Sequence, residues 1–262
     1  MKSLKFALLF APVLLVSACG GGSDLEDRLD VADPKVRFVH AASGSPNVTL
    51  SRNDAVQSDA TNVPYKVASG YYDVETGVAN WRLRTSASAT PANVDLATVS
   101  IDARRGNRYN LVAVPSGTGA GTGVALLSIR DPYNKSLVSD RARIRVVNAA
   151  PNTTGAVDLY LTQNDTNINT ATPNIANVGV RQAVPSDSND SQEIQGANYR
   201  IRLTTTGSKT VIFNSSVTLD NNTDWLLVTV PDQLLVPNSI KVLAVRVGSD
   251  NKAQPTIELS SN

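Results

Sequence analysis

The segments "ANWRLR" at residues 79–84 and "ANYRIR" at residues 197–202 are two versions of one sequence. In both, large apolar side chains alternate with arginines, so the apolar side chains point to one face and the arginines to the other. A period of two is typical of an antiparallel strand with one face buried and one face in water. The two segments therefore predict a single kind of β-strand that occurs twice in the chain.

The repetition continues along the chain in the same order. The other matching pairs are "VRFVHAA" (36–42) with "IRVVNAA" (144–150), "VSIDARRGNRYNLVAVP" (99–115) with "VTLDNNTDWLLVTVP" (217–231), and "VALLSIR" (124–130) with "IKVLAVR" (240–246). The copies lie about 110 residues apart, far more than the spacing of solenoid repeats, which predicts that each copy is a domain.

Composition and turn signals indicate an all-β fold. Short alternating segments are separated by Gly, Pro, Asn and Asp, and two one-sided sheets bury their apolar faces most simply against each other. We therefore expect two tandem immunoglobulin-like antiparallel β-sandwich domains, at residues 35–138 and 139–250, followed by a C-terminal tail at 251–262. The junction "SDRA" (139–142) is short, so we expect the sandwiches to lie close together.

The first 18 residues have the layout of a secretory signal peptide. Lys2 and Lys5 precede an apolar core from Phe6 to Val16, which is too short to span a bilayer comfortably.

The formal net charge is +1, and removal of the signal peptide takes two lysines with it. The chain therefore has no global positive field, and we expect no nucleic-acid partner.

The segment "LVSAC" (15–19) resembles the lipobox of bacterial lipoproteins, in which the cysteine accepts a diacylglycerol and becomes the new N-terminus. The resemblance implies that Cys19 is a lipid anchor, since two or three acyl chains on one cysteine hold a protein stably at a membrane. Gly20 follows it where an Asp would favour the inner membrane, which implies the outer membrane. The alternative is a conventional signal peptide. Residues 19–34 are predicted to be a flexible tether with a reach of about 20 Å.

The segments "RVVNAAPNTTGAVDLYL" (145–161) and "NYRIRLTTTGSKTVIFNSSVTLDNNTDWLLVTV" (198–230), with their first-copy partners, resemble the DUF4397 domain. This bacterial module of unknown function is often found in tandem on exported proteins, and the resemblance implies an all-β sandwich without known catalytic residues. It covers nearly all of 35–250. The first copy has "NVTLS" (47–51) in place of the usual acidic "VDVY" strand, so a ligand contact at that edge would not be shared equally by both copies.

His40 is the only histidine of the chain. Its counterpart in the second copy is Asn148, which preserves a hydrogen-bonding side chain but no general base or metal ligand. The sequence offers His40 no nucleophile or carboxylate at a recognisable spacing. We therefore expect it to have a structural role at a strand end, and we predict no catalytic residue in the chain.

Two loops invite a ligand-binding interpretation. "PSGTGAGTGV" (115–124) has spaced glycines, but a strand follows it where a phosphate-binding loop needs a helix, which favours a hairpin loop. "SDSNDSQE" (186–193) offers hard oxygen ligands without the spacing of an EF-hand, which favours an exposed polar loop over a weak calcium site. Its ligand candidates are Asp187, Asn189, Asp190 and Glu193. We expect neither a metal nor a cofactor.

Arginines at alternating positions are predicted to form ladders on solvent-facing strands. They are Arg82, Arg84, Arg141, Arg143, Arg145, Arg200 and Arg202. One interpretation is recognition of anionic groups on a glycan or an acidic partner, because guanidinium binds phosphate and carboxylate bidentately. The other is cross-strand pairing with Asp and Glu and protection of sheet edges, which we favour.

These observations predict a lipid-anchored, non-enzymatic envelope protein that binds or scaffolds an envelope protein or glycan. The alternatives are a receptor for anionic envelope glycans through the arginine ladders and a hydrolase with a carboxylate site between the domains. A single histidine and no free mature cysteine leave only carboxylate chemistry to such a hydrolase.

Overall fold

The computed structural model of the chain describes residues 32–117, 123–132, 141–163, 166–246 and 254–262. These residues form β-strands and one short 3₁₀ helix, Ser58–Ala60. The strands make four sheets that pack in pairs as two β-sandwiches, so the chain is all-β. In the described part of the chain, no helix is both long and apolar enough to cross a membrane.

The first sandwich consists of two four-stranded sheets. Its strands are β1 (Lys35–His40), β2 (Val48–Arg52), β3 (Ala55–Val56), β4 (Tyr72–Asp73), β5 (Gly77–Thr85), β6 (Asp95–Ala103), β7 (Arg108–Pro115) and β8 (Val124–Asp131). We call the sheet with strand order β4-β1-β7-β8 the first inner sheet and the sheet with order β3-β2-β5-β6 the first outer sheet.

The second sandwich repeats this arrangement. Its strands are β9 (Arg141–Asn148), β10 (Val157–Thr162), β11 (Ile175–Val178), β12 (Ala183–Val184), β13 (Gln192–Gln195), β14 (Ala197–Thr205), β15 (Val211–Leu219), β16 (Asp224–Pro231), β17 (Ile240–Arg246) and β18 (Ile257–Leu259). The second inner sheet has the order β12-β9-β16-β17-β18, with β13 also paired to β9. The second outer sheet has the order β11-β10-β14-β15.

Alternation along the strands builds a core inside each sandwich. Trp81 and Leu83 of β5 are buried in the first core, and Ile201 of β14 is buried in the second. Full burial of a side chain of this size contributes roughly 1.5–3 kcal/mol. The prediction that the apolar face of the repeated segment is the core face is confirmed.

Each inner sheet contains one parallel strand pair, which the predicted antiparallel sandwich did not include. β1 pairs with β7 in parallel, and β9 pairs with β16 in the same way. In the first pair Val36 lies opposite Tyr109, and in the second Ile144 lies opposite Trp225. The two registers are equivalent, so β16 occupies in the second sandwich the place that β7 occupies in the first.

The two inner sheets pack face to face, so the molecule has four layers of sheet. In β7, Leu111 faces the first core while Val112 faces the second sandwich, where it joins Leu226 and Leu243 in an apolar cluster. The central strands of the inner sheets, β1, β7, β9 and β16, are therefore buried on both faces. The expectation that one face of every strand meets water is wrong for these sheets, because the other sandwich covers that face.

The C-terminal residues belong to the second sandwich. β18 pairs with β17, and Leu259 lies in the second core. The predicted tail at 251–262 therefore includes a strand of the fold.

Candidate functional site

A cavity of about 360 Å³ opens on the outer face of the first outer sheet. Its floor is formed by β2 and the end of β5, and its walls by the turns that follow β2 and β5. The lining consists of Thr49, Ser51, Asp54, Val56, Thr61, Asn62, Arg84, Thr85, Ser86, Ala87, Ser88 and Asn93. Ligand sites of small molecules begin at about 300 Å³, so the cavity is large enough for one.

Hydrogen bonds between lining residues hold the polar groups of this cavity in place. The hydroxyl groups of Thr49 and Ser86 are 3.1 Å apart, and the same Thr49 oxygen accepts a hydrogen bond from the backbone N–H of Asn62. Ser88 donates to the side-chain oxygen of Asn62. Asn62 and Asn93 both have positive φ, a conformation that asparagine tolerates better than most residues. The lining is therefore a preformed set of hydroxyl and amide groups.

The charged groups at the cavity neutralise each other. Arg82 forms an ion pair with Asp54 at 2.8 Å, and the Arg84 guanidinium donates to the carboxylate of Asp95. Arg82 also lies 3.9 Å from Asp95. Both arginines project from the outer face as predicted, and both are paired with aspartate, so this face offers no surplus positive charge.

The same place in the second sandwich is filled. Thr49 lies opposite Arg84, and Tyr160 lies opposite Arg202, the counterpart of Arg84 in the repeated segment. Tyr160 is buried under Lys209, whose ammonium lies 4.7 Å from the ring centre and donates to the phenol oxygen. The two outer sheets therefore differ where a threonine replaces a tyrosine.

The chain after β10 also closes over the second outer sheet. Arg202 donates to the hydroxyl of Thr162 at 2.7 Å and to the carbonyl of Thr166 at 3.0 Å. It is only 6% exposed, and burial lowers its pKa. The prediction of a solvent-facing ladder is therefore wrong for Arg202, because Thr162 and Thr166 bind and cover its guanidinium.

The interface between the inner sheets contains a buried ionic cluster. Asp131 of the first sandwich forms ion pairs with Arg143 and Arg145 of the second, at 3.4 and 3.6 Å. Asp224 of the second sandwich pairs with Arg108 of the first at 3.3 Å and with Arg143 at 3.5 Å. Arg143 and Arg145 are 2% and 1% exposed, so the prediction of solvent exposure is wrong for them as well.

Tyr71 continues this cluster into the first inner sheet. The guanidinium carbons of Arg37 and Arg108 lie 4.7 and 5.1 Å from the centre of the Tyr71 ring, and its hydroxyl donates to Asn110. Burial raises the pKa of Tyr71, so the phenol stays neutral. A buried charge without a partner of opposite charge lowers the free energy of unfolding. The two sandwiches are therefore held in the relative position in which these charged groups are paired.

The two remaining predicted arginines lie near the surface. Arg141, at the start of β9, is exposed, and Arg200 is half-buried and donates to the side chain of Asn214 at 2.7 Å. The structure thus divides the seven predicted arginines between the two outer sheets and β9 of the second inner sheet, and they do not form one surface.

His40 lies at the end of β1, fully buried. Its Nε2 lies 3.1 Å from the carbonyl oxygen of Pro46, and its Nδ1 accepts from the N–H of Ala42. Asn148 accepts from the N–H of Ala150 in the same way. Burial lowers the pKa of His40 to about 4, and the hydrogen bond to Pro46 opposes this shift. His40 thus closes a strand end, as Asn148 does in the second copy.

The acidic loop 186–193 lies against the first sandwich. Asp187 accepts from the backbone N–H of Arg130, and the hydroxyl of Ser191 donates to Asp131. Asp190 lies 3.8 Å from Arg143. The loop therefore connects the two sandwiches, and among the described residues no cluster of three His, Cys, Asp or Glu could hold a metal ion.

Two other predictions concern residues that the structure does not describe. Cys19 and the tether through residue 31 lie outside the described residues, as do residues 118–122 of the glycine-rich loop. No sequence motif predicts this cavity as a site; its one signal is the segment "NVTLS", which has Thr49 where the second copy has Tyr160.

Comparison with known families gives one match. The model of the family described as "Domain of unknown function (DUF4397)" matches residues 34–160. This range spans the first sandwich, the junction and the chain as far as Tyr160 of β10. A DUF4397 sequence is therefore present in the first part of the chain. No curated protein matches the chain.

Proposed function

We propose that this protein is a lipid-anchored, non-enzymatic binding protein of the bacterial cell envelope, and that the cavity of the first sandwich is its binding site. The observation that carries the proposal is the difference between the two outer sheets. The same fold position is a cavity of about 360 Å³ beside Thr49 and a buried side chain at Tyr160. Because the second copy has this position filled, the first sandwich is the one that we propose binds the ligand.

The anchor in this proposal is Cys19, delivered to the outer membrane as the lipobox and Gly20 imply. An anchored protein explores a thin layer next to the membrane, so weak contacts with envelope components gain a high effective concentration. We also propose that the second sandwich is a second DUF4397 copy, which the equivalent strand registers of β1–β7 and β9–β16 support.

The ionic interface supports this function by giving the molecule a fixed shape. Ion pairs and the apolar cluster join the two inner sheets, so the cavity is carried on a single body. The alternative of a hydrolase between the domains is less favoured, because Asp131 and Asp224 are both bound by guanidinium groups in a packed interface. The alternative of an arginine receptor is less favoured because Arg82 and Arg84 already bind aspartates.

The test is capture of envelope components by the immobilised full-length chain from detergent-solubilised bacterial envelopes. Thr49→Tyr places the residue of the second copy into the cavity and should abolish capture. Thr98→Tyr is the matched control, because Thr98 is exposed on β6 of the same sheet and does not line the cavity. Equal capture by the wild type and Thr49→Tyr would refute the cavity as the binding site.

A further inference from the structure

We infer that the cavity of the first sandwich binds an uncharged saccharide; this inference rests on the proposed function and names the ligand class of its site. The chemistry of the lining carries it. The lining includes the hydroxyl groups of Thr49, Thr61 and Ser88, which both donate and accept, and behind them those of the buried Thr85 and Ser86. Sugar hydroxyls have the same dual character, so they match such a lining better than a ligand with only acceptors does.

Amide side chains add the directional contacts that a polar ligand needs. Asn62 and Asn93 line opposite turns of the cavity, at φ angles of 52° and 55°. An amide offers a carbonyl and an NH₂ group from one rigid plane, which suits the adjacent hydroxyls of a sugar ring. Asn62 is itself held by Ser88 and Asn47, so its side chain is oriented before a ligand arrives.

The charge balance of the cavity selects against an anion. Arg84 is the cation of the lining, and it donates to Asp95, while Asp54, the anion of the lining, pairs with Arg82. An anionic ligand would have to break an arginine–aspartate pair and leave the aspartate beside it. An uncharged ligand can accept or donate hydrogen bonds at the edges of these pairs without separating them.

Apolar surface makes up the rest of the lining and is the larger part of its exposed area. Val56 is 61% exposed at the rim, and Ala87 lies on the facing turn. A sugar ring has apolar C–H faces between its hydroxyls, and covering Val56 with such a face removes apolar area from water. In the second copy Tyr160 and Lys209 fill the corresponding place, so the inference assigns the saccharide to the first sandwich alone.

The experiment is ligand-observed NMR on the full-length chain in detergent with glucose, galactose, mannose and N-acetylglucosamine as separate probes, and glucose 6-phosphate as the charged comparison. We expect at least one neutral sugar to bind saturably, with an affinity that does not change between low and high salt. Thr49→Tyr should weaken this binding by about tenfold or more, whereas Thr98→Tyr should leave it unchanged.

A second variant tests the cavity without relying on the correct folding of Thr49→Tyr. Ser88 is exposed at the cavity rim, and Ser88→Trp should block access without changing a buried residue. Binding of none of the four neutral sugars, or of glucose 6-phosphate alone, overturns the inference. If envelope capture still depends on Thr49 in that case, the proposed function stands and only the saccharide assignment fails. If capture is also independent of Thr49, both fail.

Discussion

Replacing His40 with asparagine tests whether one buried imidazole makes the stability of this protein depend on pH. The contacts of His40 are those of a neutral ring, with Nε2–H donating to Pro46 and Nδ1 accepting from Ala42. A protonated Nδ1 would point a second N–H at the Ala42 donor. Asn148 makes the equivalent contact in the second copy, so His40→Asn keeps an acceptor and removes the titrating group.

The sign and size of the effect follow from the pKa. Burial lowers the pKa of His40 from 6.5 to about 4, so the unfolded chain takes up a proton before the folded chain does. The stability that neutral His40 contributes is complete above pH 6.5 and is lost as the pH falls towards 4. Relative to pH 8, the free energy of unfolding should fall by about 2 kcal/mol at pH 5. Once the pH is well below 4, the loss due to His40 should reach about 3 kcal/mol.

The assay is urea unfolding of the full-length chain at pH 8 and pH 5, followed by tryptophan fluorescence. Trp81 lies in the first core and Trp225 in the second, and both are buried. Carboxylates titrate in both the wild type and His40→Asn, so the difference between the two proteins isolates His40. Equal pH dependence of the two unfolding free energies would refute the reasoning.

The interface and the anchor supply the other predictions. Arg143→Ala should lower the free energy of unfolding in urea by about 3 to 5 kcal/mol, because it leaves the buried Asp131 and the partly buried Asp224 under-compensated. The exposed Arg105→Ala should change it by less than about 1 kcal/mol. Leu226→Ala removes apolar contacts between the inner sheets and should cost about 3 kcal/mol in the same assay; an unchanged midpoint would contradict the packed interface. Cys19→Ala should move the protein from the membrane fraction to the supernatant of bacterial cells, and its quantitative retention in membranes would contradict the anchor.

The sequence by itself determined the duplicated all-β architecture and the inward face of the outer sheets. Alternation is a local property with a period of two, so Trp81 and Leu83 identify their own core face without knowledge of the rest of the fold. His40 could also be interpreted correctly, because its counterpart Asn148 shows which property of the side chain is required. Both deductions used only neighbouring residues and the comparison of one copy with the other.

Only the tertiary structure decided what covers the second face of each sheet. A strand with alternating arginines looks the same whether water or another sandwich lies against it, and Arg143 is buried because Asp131 and Asp224 reach it from two different strands. The open cavity depends in the same way on chain segments distant in sequence. The chain segments after β2 and after β5 form its walls around Thr49, whereas in the second sandwich Tyr160 fills the corresponding place and Thr166 binds Arg202. Long-range packing therefore determines which polar groups become a site and which become part of the core.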